Sequence, residues 1–327
     1  MDKTKGTDSD GFSWSYDSDG NKLSKVKVVD GEPHGLYIEW HKSGVVKSKY
    51  NYSYGDLTGK ARHYATDGSL ESEENYTEGH LDGVFEKYKN GSLIERCYYS
   101  FGVKSGDAEE WYTNGEKKSK CTYLNGSPDG LSVEWFKYGG IKSEKNHNQK
   151  NQCVNFTHYS EMGLVLSKGQ TLQGWPHGKI KLYHLNGKTR ELREYKNKEL
   201  NGVLLTFFID GKLKSKERYV SGLRNGLKEE FFESGAMKER ANYVNGYLHG
   251  QKEIWSLTGG VSSEICYRNG QKSGVSIEYC SKGKMVAQDS FSEGKLHGIS
   301  RVWAVDGSLE LEEIYEFGVI SGQCLYE

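Results

Sequence analysis

The sequence lacks an excess of charge of either sign. Lys and Arg number 44 against 45 Asp and Glu, a formal net charge of −1. That balance removes the electrostatic footprint of a nucleic-acid binder or of a protein held on anionic lipid. Long apolar runs are missing too. None approaches the roughly 18 residues needed to span a bilayer, and the opening Met1-Asp2-Lys3-Thr4-Lys5-Gly6 has no apolar leader core. These features lead to the expectation of a soluble, cytoplasmic chain. Aliphatic residues are scarce. The hydrophobic fraction is 35% and mean hydropathy is −0.77, too little for one compact core in 327 residues, so a thin, elongated body is expected. The six cysteines form no CxxC pair, which leaves reduced thiols as the default. Nucleophile elbows, P-loops, dinucleotide fingerprints and zincin helices are absent, so no enzyme, cofactor or metal is expected.

What is present is glycine and aromatic residues: 41 Gly with only 3 Pro, and 23 Tyr, 11 Phe and 7 Trp. Rings suit a pleated surface and glycine supplies positive-φ positions, so the mixture fits short strands joined by glycine turns. The arrangement is periodic. A marker glycine recurs at Gly11, Gly35, Gly59, Gly83, Gly106, Gly130, Gly178, Gly202, Gly226, Gly250, Gly274, Gly298 and Gly322. The step is 24 residues except for one of 23 and one of 48, which passes over Val154. Five residues after each mark lies a first-strand ring, from Tyr16, Trp40 and Tyr64 to Tyr279 and Trp303; the repeat that lost its glycine keeps Tyr159.

A second glycine follows, often after Asp or Asn, as in Asp19-Gly20, Asn114-Gly115, Asn186-Gly187 and Asp306-Gly307. This is the strongest short-range hairpin signal, and it predicts a tight turn between two strands. A third glycine, such as Gly31, Gly55, Gly102 or Gly246, closes a short connection to the next hairpin. In the second strand an aliphatic residue (Val46, Leu70, Ile141, Met237), a frequent Ser (Ser48, Ser72, Ser143, Ser215) and a second ring (Tyr52, Tyr76, Tyr219, Tyr243) fall at even spacings. Period-2 logic places all three on one face. A lone hairpin cannot bury its rings, so neighbours must stack.

Segments such as Gly31-Glu-Pro-His-Gly35-Leu-Tyr-Ile-Glu-Trp40 and Asn225-Gly226-Leu-Lys-Glu-Glu-Phe231-Phe232-Glu-Ser-Gly235 resemble MORN repeats in their bacterial variant form. The resemblance implies an all-β, elongated, single-layer antiparallel sheet, a solenoid of about 13 stacked hairpin repeats, here one domain over 1–327 with an irregular repeat at 141–176. It also implies a function. Eukaryotic MORN arrays resemble scaffolds and membrane-associated modules, and the bacterial variants are similar to antitoxins or immunity proteins that bind and neutralise a toxin. The expected partner is thus a protein toxin or effector, with nucleic acid and membrane set aside; a structural or lipid-associated scaffold is the alternative.

His34, His177, His249 and His297 precede marker glycines. The nearest equivalents stand two repeats apart, roughly 20 Å at about 4.8 Å per strand, too far to share a zinc ion. A structural turn role is preferred. Cys97 and Cys121 occupy equivalent positions about 10 Å apart, beyond disulfide reach. Glu39, Glu86, Glu109, Glu110, Glu134, Glu229 and Glu230 on first strands oppose Lys47, Lys118, Lys142, Arg190, Lys214 and Lys238 on second strands. Cross-strand pairing on a solvated face is the plain reading; a charged footprint for a partner is the sharper one.

Two features point to a binding surface. Next to the first-strand ring, several repeats carry an extra ring on the other side: Tyr112, Phe136, Phe208 and Phe232. Exposed, they would anchor a protein partner; otherwise they stiffen the sheet. The irregular repeat loses both connecting glycines, to Lys150 and Val154, and carries His147 and Thr171 where second-strand rings stand elsewhere. Its polar run Asn146-His147-Asn148-Gln149-Lys150-Asn151-Gln152 reads as degeneration, a bend or a binding loop, with a bend preferred. Tyr112, Phe136, Phe208, Phe232, His147 and Lys150 are the candidate partner-binding residues.

Overall fold

The computed structural model describes residues 3–326; Met1, Asp2 and Glu327 lie outside the described residues. Every described element is a β-strand, and no helix is long and apolar enough to cross a membrane. The contacts group into two compact units, Met1–Gly163 and Leu164–Glu327. The boundary falls inside the irregular repeat. In each unit the strands follow one another antiparallel in chain order, some pairing past a two-residue strand to the next long one. Among the described residues the strands make their main contacts with the strands they pair to.

The hairpin has one fixed irregularity. In the first unit Gly35 pairs with Tyr52, Tyr37 with Tyr50 and Glu39 with Ser48, but Trp40 pairs with Val46. In the second unit Gly226 pairs with Tyr243, Glu230 with Glu239 and Phe231 with Met237. Lys47 and Lys238 are therefore extra residues, a β-bulge just after the turn. The bulge corrects the face assignment made from spacing. Val46 lies opposite the ring of Trp40, whereas Ser48 and Tyr52 share the other face with Glu39.

The two faces differ in chemistry. On one, first-strand rings lie under basic side chains: Lys49 Nζ stands 6.0 Å from the Tyr64 ring centre and the Arg240 guanidinium 5.6 Å from that of Trp255. On the other, small residues let strands pack closely. Ser48 is 1% exposed and Cys97 0%, and Ala61, Ala241, Ser143 and Ser215 are buried around them. The six cysteines are free thiols, and burial pushes the Cys97 and Cys121 thiols up.

Turn chemistry also departs from the spacing argument. Gly44 N–H donates to His41 C=O at 2.9 Å, and Gly44 is left-handed at φ 81° while the residue before it is not. That is a type I turn closed by glycine. The two-residue mirror-image turn sits at the third glycine: Tyr54 and Gly55 have φ of 46° and 93° between the paired Ser53 and Asp56. Asn90-Gly91 is the exception, a mirror-image turn between paired Lys89 and Ser92 that accounts for the single 23-residue step. Successive third-glycine turns are linked. Gly246 N–H donates to Arg224 C=O at 2.8 Å, and Gly102 N–H to Leu81 C=O at 2.7 Å. Two of the four turn histidines pack here, His34 on Tyr54 with ring centres 4.6 Å apart and His297 on Phe317 at 4.5 Å, while His249 Nδ1 is buried with no hydrogen-bond partner among the described residues.

The marker glycine serves a second bulge. Gly106, at φ 83°, lies between the pairs Cys97–Ala108 and Tyr99–Lys104, where one residue of one strand faces three of the next. A β-branched residue does not adopt that backbone. Where Val154 replaces glycine the bulge vanishes: Asn146 pairs with Asn155, His147 with Val154 and Asn148 with Cys153. The two residues released from the bulge move into the turn, which lengthens to 149–152. The irregular repeat is thus a regular hairpin with a longer turn, pinned by Gln149 Nε2, which donates to the carbonyls of Leu124 and Ser127 at 2.8 Å each.

Candidate protein-binding site

Tyr112, Phe136, Phe208 and Phe232 each open a type I turn, and each is half-buried rather than exposed. The position has a structural duty. Tyr112 hydroxyl donates to the Trp135 carbonyl at 2.8 Å, and His41 Nε2 and His184 Nε2 make the same link to Tyr64 and Phe207. Phenylalanine there cannot make this bond. Phe136 instead joins Tyr112, Lys137, Tyr138 and Lys142 around an open recess of about 490 Å³ in the first unit. A second recess of about 460 Å³, lined in part by Lys87, Lys89 and Trp111, shares Tyr112 and Lys137 with it. Phe208 and Phe232 belong to the second unit, where Lys214 Nζ stands 5.8 Å from the Phe208 ring centre.

His147 and Lys150 lie at the opposite end of their hairpin from Phe136. His147 Nε2 is 2.9 Å from Ser132 Oγ, and burial, with Lys145 adding to it, lowers the imidazole pKa. Lys150 is exposed in the lengthened turn, its backbone N–H donating to Asn148 Oδ1.

The charged rows mostly pair. Lys47, Lys118 and Lys238 reach Glu39, Glu110 and Glu230 at 2.6–2.7 Å, and Lys142 reaches Glu134 at 3.6 Å. Each lysine is the bulge residue, which aims it at the glutamate. Such exposed pairs contribute about 0.2–1 kcal/mol. Spacing arguments missed the apolar turn tips. Tyr138 is 88% exposed, and Met162, Leu185, Ile209, Leu257 and Val305 stand out at equivalent turns. The signal was there: an apolar residue inside a turn that propensity would fill with polar ones.

Residues 33–54, 57–78, 104–125, 176–197 and 224–245 match the MORN repeat variant. Five of the repeats are thus MORN-like. No curated protein matches the chain. Among solved structures it is similar to a chain of the TcdB2-TccC3-Cdc42 crystal structure at 11% identity and TM-score 0.19, covering 93% of this chain and 21% of that one. For the TcdB2-TccC3-TEV crystal structure the values are 10%, 0.19, 92% and 20%. For the Photorhabdus luminescens Tc holotoxin pore they are 10%, 0.18, 93% and 21%. The chain spans about a fifth of the length of the chains it matches.

Proposed function

We propose that the chain is a non-catalytic binding scaffold, and that it neutralises a protein toxin or effector in the cytoplasm by covering its surface. The observation that carries this reading is the recess at Tyr112 and Phe136. Its rings lie beside lysines on an open turn edge, a form suited to a protein surface more than to an enclosed small substrate. The likeness of the repeats to bacterial MORN variants supports the toxin partner. The test is co-expression with the product of the adjacent gene. The reading expects restored growth and co-purification of the two chains; toxicity unchanged, with no protein retained, refutes it.

The lipid-associated scaffold draws on one observation. Lys25 Nζ stands 3.8 Å from the Phe12 ring centre and 4.7 Å from that of Trp14, a basic-aromatic cluster suited to a headgroup region. Flotation with anionic vesicles at low salt, without capture of any protein, would favour it.

A further inference from the structure

The joined recesses of the first unit run along one edge of the sheet, crossing the turns of three consecutive repeats. Lys89, Tyr112 and Phe136 hold the position next to the first-strand ring in those repeats. Lys118 and Lys142 are spent on glutamates. Lys87, Lys89 and Lys137 make no ion pair among the described residues, and all three are exposed. Lys137 Nζ stands 5.5 Å from the ring centre of Tyr138. Glu95, Glu110 and Glu161 line the same recesses, so five lysines face three glutamates there, and in a chain of net charge −1 this edge keeps a positive excess among its rings.

Spacing says what form of ligand fits. Equivalent positions in successive hairpins stand two strands apart, about 9.6 Å. A polyproline II segment rises about 3.1 Å per residue with three residues per turn, so its every third side chain returns to one side after about 9.3 Å. A β-strand fails this match, because residues three apart face opposite ways. An α-helix, with a pitch of about 5.4 Å, has no turn that coincides with the step. Aromatic-lined grooves are the usual seat of polyproline II ligands.

Resting on the reading that the chain binds a protein, we propose that this edge takes an acidic, proline-rich segment of the partner. The segment lies in the polyproline II conformation. Its acidic side chains meet Lys87, Lys89 and Lys137, and its proline rings lie against Tyr112, Phe136 and Tyr138.

The test uses the full chain and fluorescence anisotropy with three labelled synthetic peptides repeating Glu-Pro-Pro, Lys-Pro-Pro or Glu-Gly-Gly. Glu-Pro-Pro is expected to bind saturably, with the other two at least tenfold weaker. Phe136→Ala should weaken Glu-Pro-Pro about 30-fold, the 2 kcal/mol of an anchor ring at about 1.4 kcal/mol per decade. The surface variant Lys89→Glu with Lys137→Glu, which touches no buried group, should weaken it at least tenfold. Equal binding of Glu-Gly-Gly overturns the conformational half, and equal binding of Lys-Pro-Pro the electrostatic half. Binding to phosphatidylserine vesicles but to none of the peptides overturns the whole in favour of a lipid surface. If no peptide binds and the charge-reversed chain still captures its toxin fully, this proposal falls while the binding scaffold stands. If the unaltered chain captures no protein either, both fall.

Discussion

Replacing Gly169 by alanine should destabilise the second unit for a reason unlike that at the marker Gly106. Gly169, on the strand Val165–Leu172, has ordinary backbone, so no conformational strain is at stake. Its place is set by contact. A Cβ would lie 2.8 Å from Ile180 Cγ1 and 3.1 Å from Ile180 Cα, and the latter is backbone that cannot turn aside. Overpacking of this kind costs about 1–3 kcal/mol. Ile180→Ala removes the nearest atom. Because Ile180 is only half-buried, its truncation should cost about 1–2 kcal/mol, below the range for fully buried residues. Ile180 Cα at 3.1 Å and Cβ at 3.2 Å remain in that variant, so the double variant should be only partly rescued, about 0.5–1 kcal/mol more stable than the sum of the two losses. Urea denaturation followed by tryptophan fluorescence measures all four corners of the cycle. Additive losses, or Gly169→Ala within about 0.5 kcal/mol of the unaltered chain, would refute the idea that small residues admit large cross-strand neighbours on this face.

Gly106→Ala should cost only about 1 kcal/mol, since the nearest atom is Tyr98 Cβ at 3.7 Å and the left-handed φ of 83° is the sole penalty; a loss above 3 kcal/mol in the same denaturation would show a packing role instead. Phe101 occupies a mirror-image turn at φ 45°, where the neighbouring turn has Asn125 at φ 50°. Phe101→Asn should therefore raise stability by about 0.5–1 kcal/mol, read as a higher urea midpoint. Tyr88 hydroxyl donates to Glu86 Oε2 at 2.6 Å, and that bond, then burial, pushes its pKa from 10.0 up to about 12. A folded-state pKa above the unfolded one gives stability that is present below pH 10 and lost as pH rises towards 12. Thermal midpoints across that window should fall less steeply in Tyr88→Phe, and equal slopes would contradict the bond's contribution.

The hairpins were legible because glycine and rings recur at fixed positions, and each has one physical reason to be there. The bulge was not. Lys47 and Lys238 read like any solvated lysine, and nothing in their type marks an extra residue. One uncounted residue moves every later side chain across the sheet, which is why Val46 and Ser48 were placed on the same face. Val154 was visible as a missing glycine, yet its consequence needed the pairing. Only with Asn146 seen opposite Asn155 does a lost bulge become a longer turn. At the site, the extra rings marked Tyr112 and Phe136, but the free lysines beside them could not be told from paired ones. The bulge aims Lys118 and Lys142 at glutamates, whereas Lys89 and Lys137 stand at the turns, where neither makes an ion pair among the described residues.

The central claim is that this sheet acts by holding a protein along the edge that carries Tyr112 and Phe136. Isothermal titration of the purified partner into the unaltered chain and into Phe136→Ala tests it most directly, with the circular dichroism of both chains recorded beside it. The account expects one binding event for the unaltered chain and an affinity about 30-fold lower for the variant, with the strand signal unchanged. Equal affinities for the two chains, at equal folding, would contradict it.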